Sequence, residues 1–367
     1  MESALIFVVS LLVPLCGAEL SFQEWRAEYG EEALFADDNI LIDREQVYYD
    51  NVKLIQRLNE EDNGAEFRVN QFAAMTPEEF RHQVLMRPQK PFEFKETRYM
   101  ESVEAAAPLP TSFDWTTHSN VVTSVKNQGA LGSCWAFSTV GNVEGQWGLK
   151  NGLKNGNDTL QSLSTMQILS CDAEKDIAHG RADCGAFGGW PYLAYQYLMK
   201  AGGIEPDVDY PYCVDGCFPC APHGYNVSLC GQKVEYCRKN DSCPAMLRTQ
   251  DFVPGLQLAD WKAISTDETE IAQQLVDIGP LSVAMDATLL NFYHSGVFHP
   301  PFCSKTELDH AVLIVGFGVE KELLSTKPYW LVKNSWGAKW GQKGYFKIMR
   351  GEGTCGINTQ VTTSVLK

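Results

Sequence analysis

The sequence predicts an α+β protein with its helices early and its strands late. Arg44, Tyr48, Asn51, Ile55 and Asn59 recur at helical spacing, and apolar residues do so between 134 and 148. The runs Gly279–Ala284, Ala311–Val319, Tyr329–Lys333 and Tyr345–Met349, dominated by Val, Ile, Leu and aromatic residues, all fall in the second half and read as strands. The 367 residues suffice for two or three folding units, and 44% apolar with 21% charged residues is the composition of an ordinary globular chain. A formal charge of −16 argues against nucleic acid or anionic membrane as a partner, because phosphate contacts need clustered Lys and Arg. That charge suits an acidic compartment.

Taken in order, the first element is the apolar stretch Ala4–Leu15, too short to span a bilayer and followed by the small-residue site Cys16-Gly17-Ala18. Residues 1–18 read as a secretory signal peptide, although the segment before the apolar stretch carries Glu2 and no Lys or Arg. No second long apolar run follows, and the ending Val365-Leu366-Lys367 is not a retention signal. The expected destinations are a lysosome-like compartment or the exterior, with no membrane contact after signal removal.

Residues 19–108 form the second unit. Its chain lacks cysteine, is rich in Glu and Gln, and ends in the flexible Glu104-Ala-Ala-Ala-Pro108, as a removable segment would. Arg44, Tyr48, Asn51, Ile55 and Asn59 are spaced by three or four residues and share one helix face.

The third unit, 109–367, holds the chemistry. Gln128-Gly-Ala-Leu-Gly-Ser-Cys134-Trp-Ala-Phe-Ser138 places a thiol where a helix begins, after a glycine-containing turn. A helix N-terminus favours anions, so the thiol is expected to have a lowered pKa and to act as a thiolate nucleophile. Such a nucleophile needs a base, and of seven histidines only His310 opens a buried strand, which would hold its imidazole rigidly. Asn334 follows a further strand, with an indole, Trp336, two residues later. It can orient the imidazole while the indole shields that bond from water.

These four segments, in the order Gln128, Cys134, His310, Asn334, resemble those of papain-like cysteine proteases, the family of the cathepsins. The resemblance implies a helical left domain and a β-barrel-like right domain with an interdomain cleft, preceded by a helical prosegment. His310 follows Cys134 by 176 residues, more than the roughly 130–150 usual in the family, so insertions lie between them. The face carrying Arg44, Tyr48, Asn51, Ile55 and Asn59 is similar to the inhibitory prosegment motif of the cathepsin L-like branch, with Ile40 and Tyr48 replacing its Glu and first Phe. Asn70 and Phe72 match a second prosegment motif, in which Arg68 and Ala74 replace a Gly and an Asp. The implied product is a zymogen cleaved between about residues 105 and 109.

By the same resemblance Gly188 and Gly189 hydrogen-bond the substrate backbone, while Trp190, Pro191, Ala284, Leu308, Ala311 and Gln360 shape the main specificity pocket beside Trp336. Small Ala284 and apolar Leu308 predict aliphatic or aromatic side chains at the second position before the cut. The implied partners are protein and peptide substrates, the chain's own prosegment as intramolecular inhibitor, and cystatin-like inhibitors. The implied assembly is a monomer, and no cofactor or metal is expected.

Setting aside Cys16 and Cys134 leaves ten of twelve cysteines, an even number for an oxidising compartment. The resemblance pairs Cys303 with Cys355. The eight others (171, 184, 213, 217, 220, 230, 237, 243) stay unassigned, with Cys171 expected to reach the 213–220 cluster. Leu131 and Ala186 stand where the family has a bonded pair. Residues 213–243 form a cysteine-rich insertion, read as a stapled loop without regular structure, where cathepsin B carries its occluding loop. Cys217 and Cys220 have zinc-ligand spacing but read as disulfide partners in a secreted chain. Asn157, Asn226 and Asn240 are glycosylation acceptors. Endopeptidase activity is the first expectation. The alternatives are a carboxydipeptidase using the insertion, for which only His223 is present, an inactive homologue that binds peptides or inhibitors, and a thiol transferase.

Overall fold

The computed structural model describes residues 20–30, 42–61, 64–101, 108–118, 120–152, 160–212, 222, 224–231, 247–321 and 325–367. The signal peptide, Asn157, Asn240, His223 and most of the insertion lie outside the described residues.

In chain order, helices α1 (Phe22–Tyr29) and α2 (Arg44–Glu60) open the prosegment, each started by a side-chain cap, Ser21 and Asp43. Phe22, Trp25 and Tyr48 stack at 5.5–5.6 Å between ring centres where the two helices meet. The face of α2 anticipated from sequence holds the prosegment together. Asn51 donates to the carbonyls of Ala73 and Met75, both at 2.8 Å, and Asn59 exchanges two 2.8 Å bonds with the backbone of Phe67. Arg44 clamps Glu79 with two 2.7 Å contacts.

Strand β1 (Ala65–Phe67) also belongs to the prosegment. The mature region begins with β2 (Phe113–Asp114) and helix α3 (Cys134–Trp147), followed by α4 (Thr165–Cys171), the hairpin β3 (Lys175–Asp176) and β4 (Arg181–Ala182), and α5 (Pro191–Ala201). The second half supplies β5 (Leu258–Ala263), α6 (Glu268–Ile278), β6 (Leu281–Met285), β7 (Tyr293–Phe298), β8 (His310–Lys321), β9 (Thr326–Lys333), β10 (Tyr345–Met349) and β11 (Val361–Leu366).

Nine of the described strands form one sheet, ordered β1-β7-β10-β9-β8-β6-β11-β5, with β2 joined to β8. Prosegment β1 therefore extends the mature sheet by pairing with β7, Ala65 opposite Gly296. Two apolar cores flank the cleft. One unites the prosegment with α6 and the sheet, and the other gathers α3, α4, α5 and β5. Helix α3 crosses between them: Ser138 donates to the Val312 carbonyl on β8 at 2.8 Å, and Gly141 packs closely against the Leu313 side chain.

Cys303 is bonded to Cys355 and Cys184 to Cys230, while Cys171 is also in a disulfide. The second bridge fastens the loop before Gly188, two residues from Ala186. Part of the insertion is regular after all. Asn226 caps a single helical turn, Val227–Cys230, its side-chain oxygen accepting from the amides of Ser228 and Leu229.

Candidate active site

Each predicted site residue can be placed by its element. Cys134 is the first residue of α3, His310 the first of β8, and Asn334 follows β9, which pairs with β8. That pairing brings the His310 Nε2 to 2.8 Å from the Asn334 side-chain oxygen. Since an amide oxygen only accepts, Nε2 carries the proton and Nδ1 presents its lone pair, unpaired and buried. Trp336 lies flat on the imidazole at 4.7 Å, covering the His310–Asn334 bond as anticipated. The Cys134 thiol accepts a 3.4 Å hydrogen bond from the backbone N–H of Ala311, so β8 supplies both the imidazole and a contact to the sulfur.

Gln128 is fully buried and rigidly held. Its side-chain oxygen accepts from Ser335 at 2.6 Å, which turns the amide nitrogen inward to donate to the carbonyls of Leu131 and Val84, each at 2.7 Å. Val84 belongs to the prosegment. A prosegment carbonyl thus occupies the side-chain donor of Gln128.

The segment Val84–Gln89 lies along the cleft, bridged at Gln89 to Leu308. The Met86 N–H donates to the Asp309 carbonyl at 2.9 Å, and Gln89 and Leu308 exchange two 2.8 Å backbone bonds. Met86 is buried in the same cluster as Cys134, Trp190, Ala284, Leu308 and Ala311, and a side chain on Gly188 would strike Met86. Gly189 has no space either, since a Cβ there would fall within 2.6 Å of both the Trp135 ring and the Asp183 carboxylate. Pro191 starts α5, which seats Trp190 at the pocket wall, and Gln360 donates to the prosegment carbonyl of Phe92 at 2.6 Å. Farther along, Phe72 and Phe80 meet Trp336 edge-on at 5.4 Å, and Asn70 donates to the Asn291 carbonyl at 2.7 Å.

Covering the cleft reverses the expected electrostatics. Burial pushes the Cys134 thiol up to about 12, with the neighbouring Asp309 adding to the shift and the Ala311 bond opposing it. Burial likewise pushes His310 down to about 4 against the opposing bond to Asn334. The lowered thiol pKa expected of a helix N-terminus is therefore absent from this state. Desolvation of a fully covered thiol outweighs a helix-end field worth about 1 kcal/mol. Both groups rest neutral, as thiol and imidazole.

Sequence reasoning missed several participants. Ser335, which aims Gln128, was adjacent to a recognised residue. Asp309 is buried beside His310, its carboxyl accepting from the Ala287 N–H at 2.8 Å while burial raises it to about 7. The apolar triplet Val84-Leu85-Met86 was the available signal for the cleft-filling segment. The β3–β4 hairpin, built on two-residue strands, gave no periodic signal at all.

The model of the papain family cysteine protease matches residues 109–365, and that of the cathepsin propeptide inhibitor domain matches residues 22–80. Cysteine proteinase 1 of Dictyostelium discoideum is 33% identical over 370 residues, covering 98% of this chain and 96% of that protein. Cathepsin F of Mus musculus is 35% identical over 324 residues, 87% of this chain and 59% of that one. Among solved structures, digestive procathepsin L 3 of Tenebrio molitor larval midgut superposes with a TM-score of 0.71 at 29% identity, covering 94% of this chain and 97% of its own. A recombinant stem bromelain precursor does so at 0.70 and 28%, covering 94% and 98%. The prosegment lying in the cleft is thus the chain's own inhibitor, and the chain belongs to the papain family of cysteine proteases, as a zymogen-type cysteine endopeptidase.

Proposed function

We propose that the peptidase works through Cys134, His310, Asn334 and Gln128. Once the prosegment leaves, water reaches the cleft, the α3 N-terminus favours the thiolate, and Cys134 passes its proton to Nδ1 of His310. The thiolate attacks the peptide carbonyl, and the Gln128 amide with the Cys134 N–H stabilises the oxyanion. The His310 imidazolium protonates the departing amine, then activates the water that hydrolyses the acyl-enzyme, while Asn334 holds the ring in its tautomer. The observation that carries this reading is the Val84 carbonyl on the Gln128 amide, a peptide group already held where the reaction would hold one.

The natural setting is the secretory pathway, with action at acidic pH in a lysosome-like compartment or outside the cell. The pocket of Trp190, Pro191, Ala284, Leu308, Ala311 and Gln360 takes aliphatic or aromatic side chains. The test is acid activation followed by an epoxide thiol inhibitor and a fluorogenic peptide panel. Stoichiometric modification of Cys134, with loss of hydrolysis of Leu and Phe peptides, is expected. Modification elsewhere, or full activity in Cys134→Ser, refutes the reading.

A further inference from the structure

The β3–β4 hairpin stands beside the cleft on the Gly188 side, and the prosegment reaches it just past the segment that fills the site. Arg181, the first residue of β4, donates one guanidinium nitrogen to the Gln89 side-chain oxygen at 2.9 Å and another to the Lys90 carbonyl. Its Nε is buried without an acceptor. The aliphatic and guanidinium parts are fixed between two rings, with the charged carbon 5.4 Å from Trp190 and 5.7 Å from Phe92.

The obvious internal partner, Asp176, is engaged by His179 and Tyr192 and acts on Arg181 through its charge. One carboxylate oxygen holds the His179 ring at 2.6 Å and the Tyr192 hydroxyl at 3.2 Å, and the other accepts from the His179 N–H at 3.3 Å. Glu174 is engaged by Lys200. When the prosegment departs, Arg181 therefore loses both of the acceptors it holds and the Phe92 ring, and keeps the Trp190 ring beside it. A guanidinium deprived of its acceptors at the edge of a peptide-binding groove selects a ligand that returns them, and a carboxylate does so with two parallel bonds.

Gln89 lies three residues past Met86, which packs against Gly188, and it pairs with Leu308 of the specificity pocket. We propose that Arg181 is a specificity-determining residue that selects acidic side chains, Glu or Asp, at the third or fourth position before the cut, where the zymogen places Gln89. This rests on the peptidase reading above.

The test uses activated enzyme made from the full chain and internally quenched peptides that differ only at those two positions, carrying Glu, Gln, Leu or Lys. A charge-assisted bond of the usual strength corresponds to a preference of at least about tenfold in kcat/KM for Glu over Lys. Arg181→Ala is expected to bring that ratio to within threefold of unity while leaving hydrolysis of the Leu peptide within threefold of the unaltered enzyme, and Arg181→Lys to retain part of the preference. Hydrolysis of all peptides with no Glu preference, or a preference that survives Arg181→Ala, overturns the assignment and leaves the peptidase intact. Failure to cleave any peptide, Leu included, overturns the peptidase reading and this assignment with it.

Discussion

If the prosegment inhibits by covering the cleft, loosening one of its buried anchors must expose Cys134 by a calculable amount. Phe72 is the anchor to test. Its ring is 2% exposed and meets Phe80 at 5.1 Å and Trp336 of the mature region at 5.4 Å, both edge-on. Truncating a buried Phe to Ala costs about 3–5 kcal/mol, and each edge-on aromatic pair contributes about 1 kcal/mol within that figure. The Phe80 contact lies within the prosegment and survives when the segment lifts as a unit, so about 3 kcal/mol falls on the opening step. At 1.4 kcal/mol per factor of ten, the open fraction rises about 150-fold. The assay is the rate at which iodoacetamide alkylates Cys134 in the intact zymogen at neutral pH, with mass spectrometry confirming that the prosegment is still attached. Phe72→Leu, which keeps most of the volume, should accelerate labelling by only about tenfold. An unchanged rate in Phe72→Ala, within threefold of the parent zymogen, would show that access to the thiol does not depend on lifting this segment.

Three further outcomes follow from the site. Gln128→Ala should lower kcat of the activated enzyme by about 10²–10³ with KM within a few-fold, measured by steady-state hydrolysis, since the donor acts on charge that develops only in the transition state; an equal rise in KM contradicts that role. Burial lowers His310 to about 4, so in Cys134→Ser, where no thiolate can pair with the ring, the open, hydrated form binds the extra proton between about pH 6.5 and 4 and the covered form loses stability as pH falls, by up to about 1.4 kcal/mol per unit. Hydrogen exchange at the Met86 and Gln89 amides, corrected for intrinsic rates, should show this loss of protection, and His310→Phe should abolish it. Asp172 and Asp183 are buried together beneath Trp190 and both raised by that burial, so the native state holds the extra proton and their contribution has the opposite sign, falling as pH rises from the ordinary carboxylate range towards neutrality. Asp183→Asn should raise the melting temperature near pH 7.5 relative to pH 5; a parallel shift at both values contradicts it.

The legible parts of the chain were those where one residue type answers to one physical demand. The Cys134 run, the strand opened by His310 and the motif face of α2 each carry strong local periodicity, and the predicted run Tyr345–Met349 coincides with the observed strand. Strand β7 was less legible: its Tyr-His-Ser-Gly-Val-Phe includes a glycine at φ +82 and alternates poorly, and its partners are the backbones of β1 and β10 from distant parts of the chain. The hairpin carrying Arg181 was hidden for another reason. Its two-residue strands turn at Gly180 in a left-handed conformation and are fixed by contacts with Gln89, Lys90 and Phe92, none of which a local pattern encodes. The Cys184–Cys230 bridge, spanning 46 residues, was one of many pairings open to eight cysteines.

The expectation of a thiol of lowered pKa, which fails in this state, exposes how inhibition is built. The α3 N-terminus, the His310–Asn334 bond and the Gln128 amide are assembled in the zymogen. Water is what the covered cleft lacks. Met86 and its neighbours exclude it, so the charged form of either Cys134 or His310 costs more than the helix end and the backbone bonds from Ala311, Trp135 and Met86 can return. Inhibition by desolvation needs no distortion of the triad and is reversed by any change that lifts the segment Val84–Gln89. The polar contacts along that segment then set its grip: Gln128 on Val84, Asp309 on Met86, Leu308 and Arg181 on Gln89. None of the four titrates near neutrality, so acid sensitivity of the grip falls to the buried groups beneath it, the His310 imidazole and the Asp309 carboxyl.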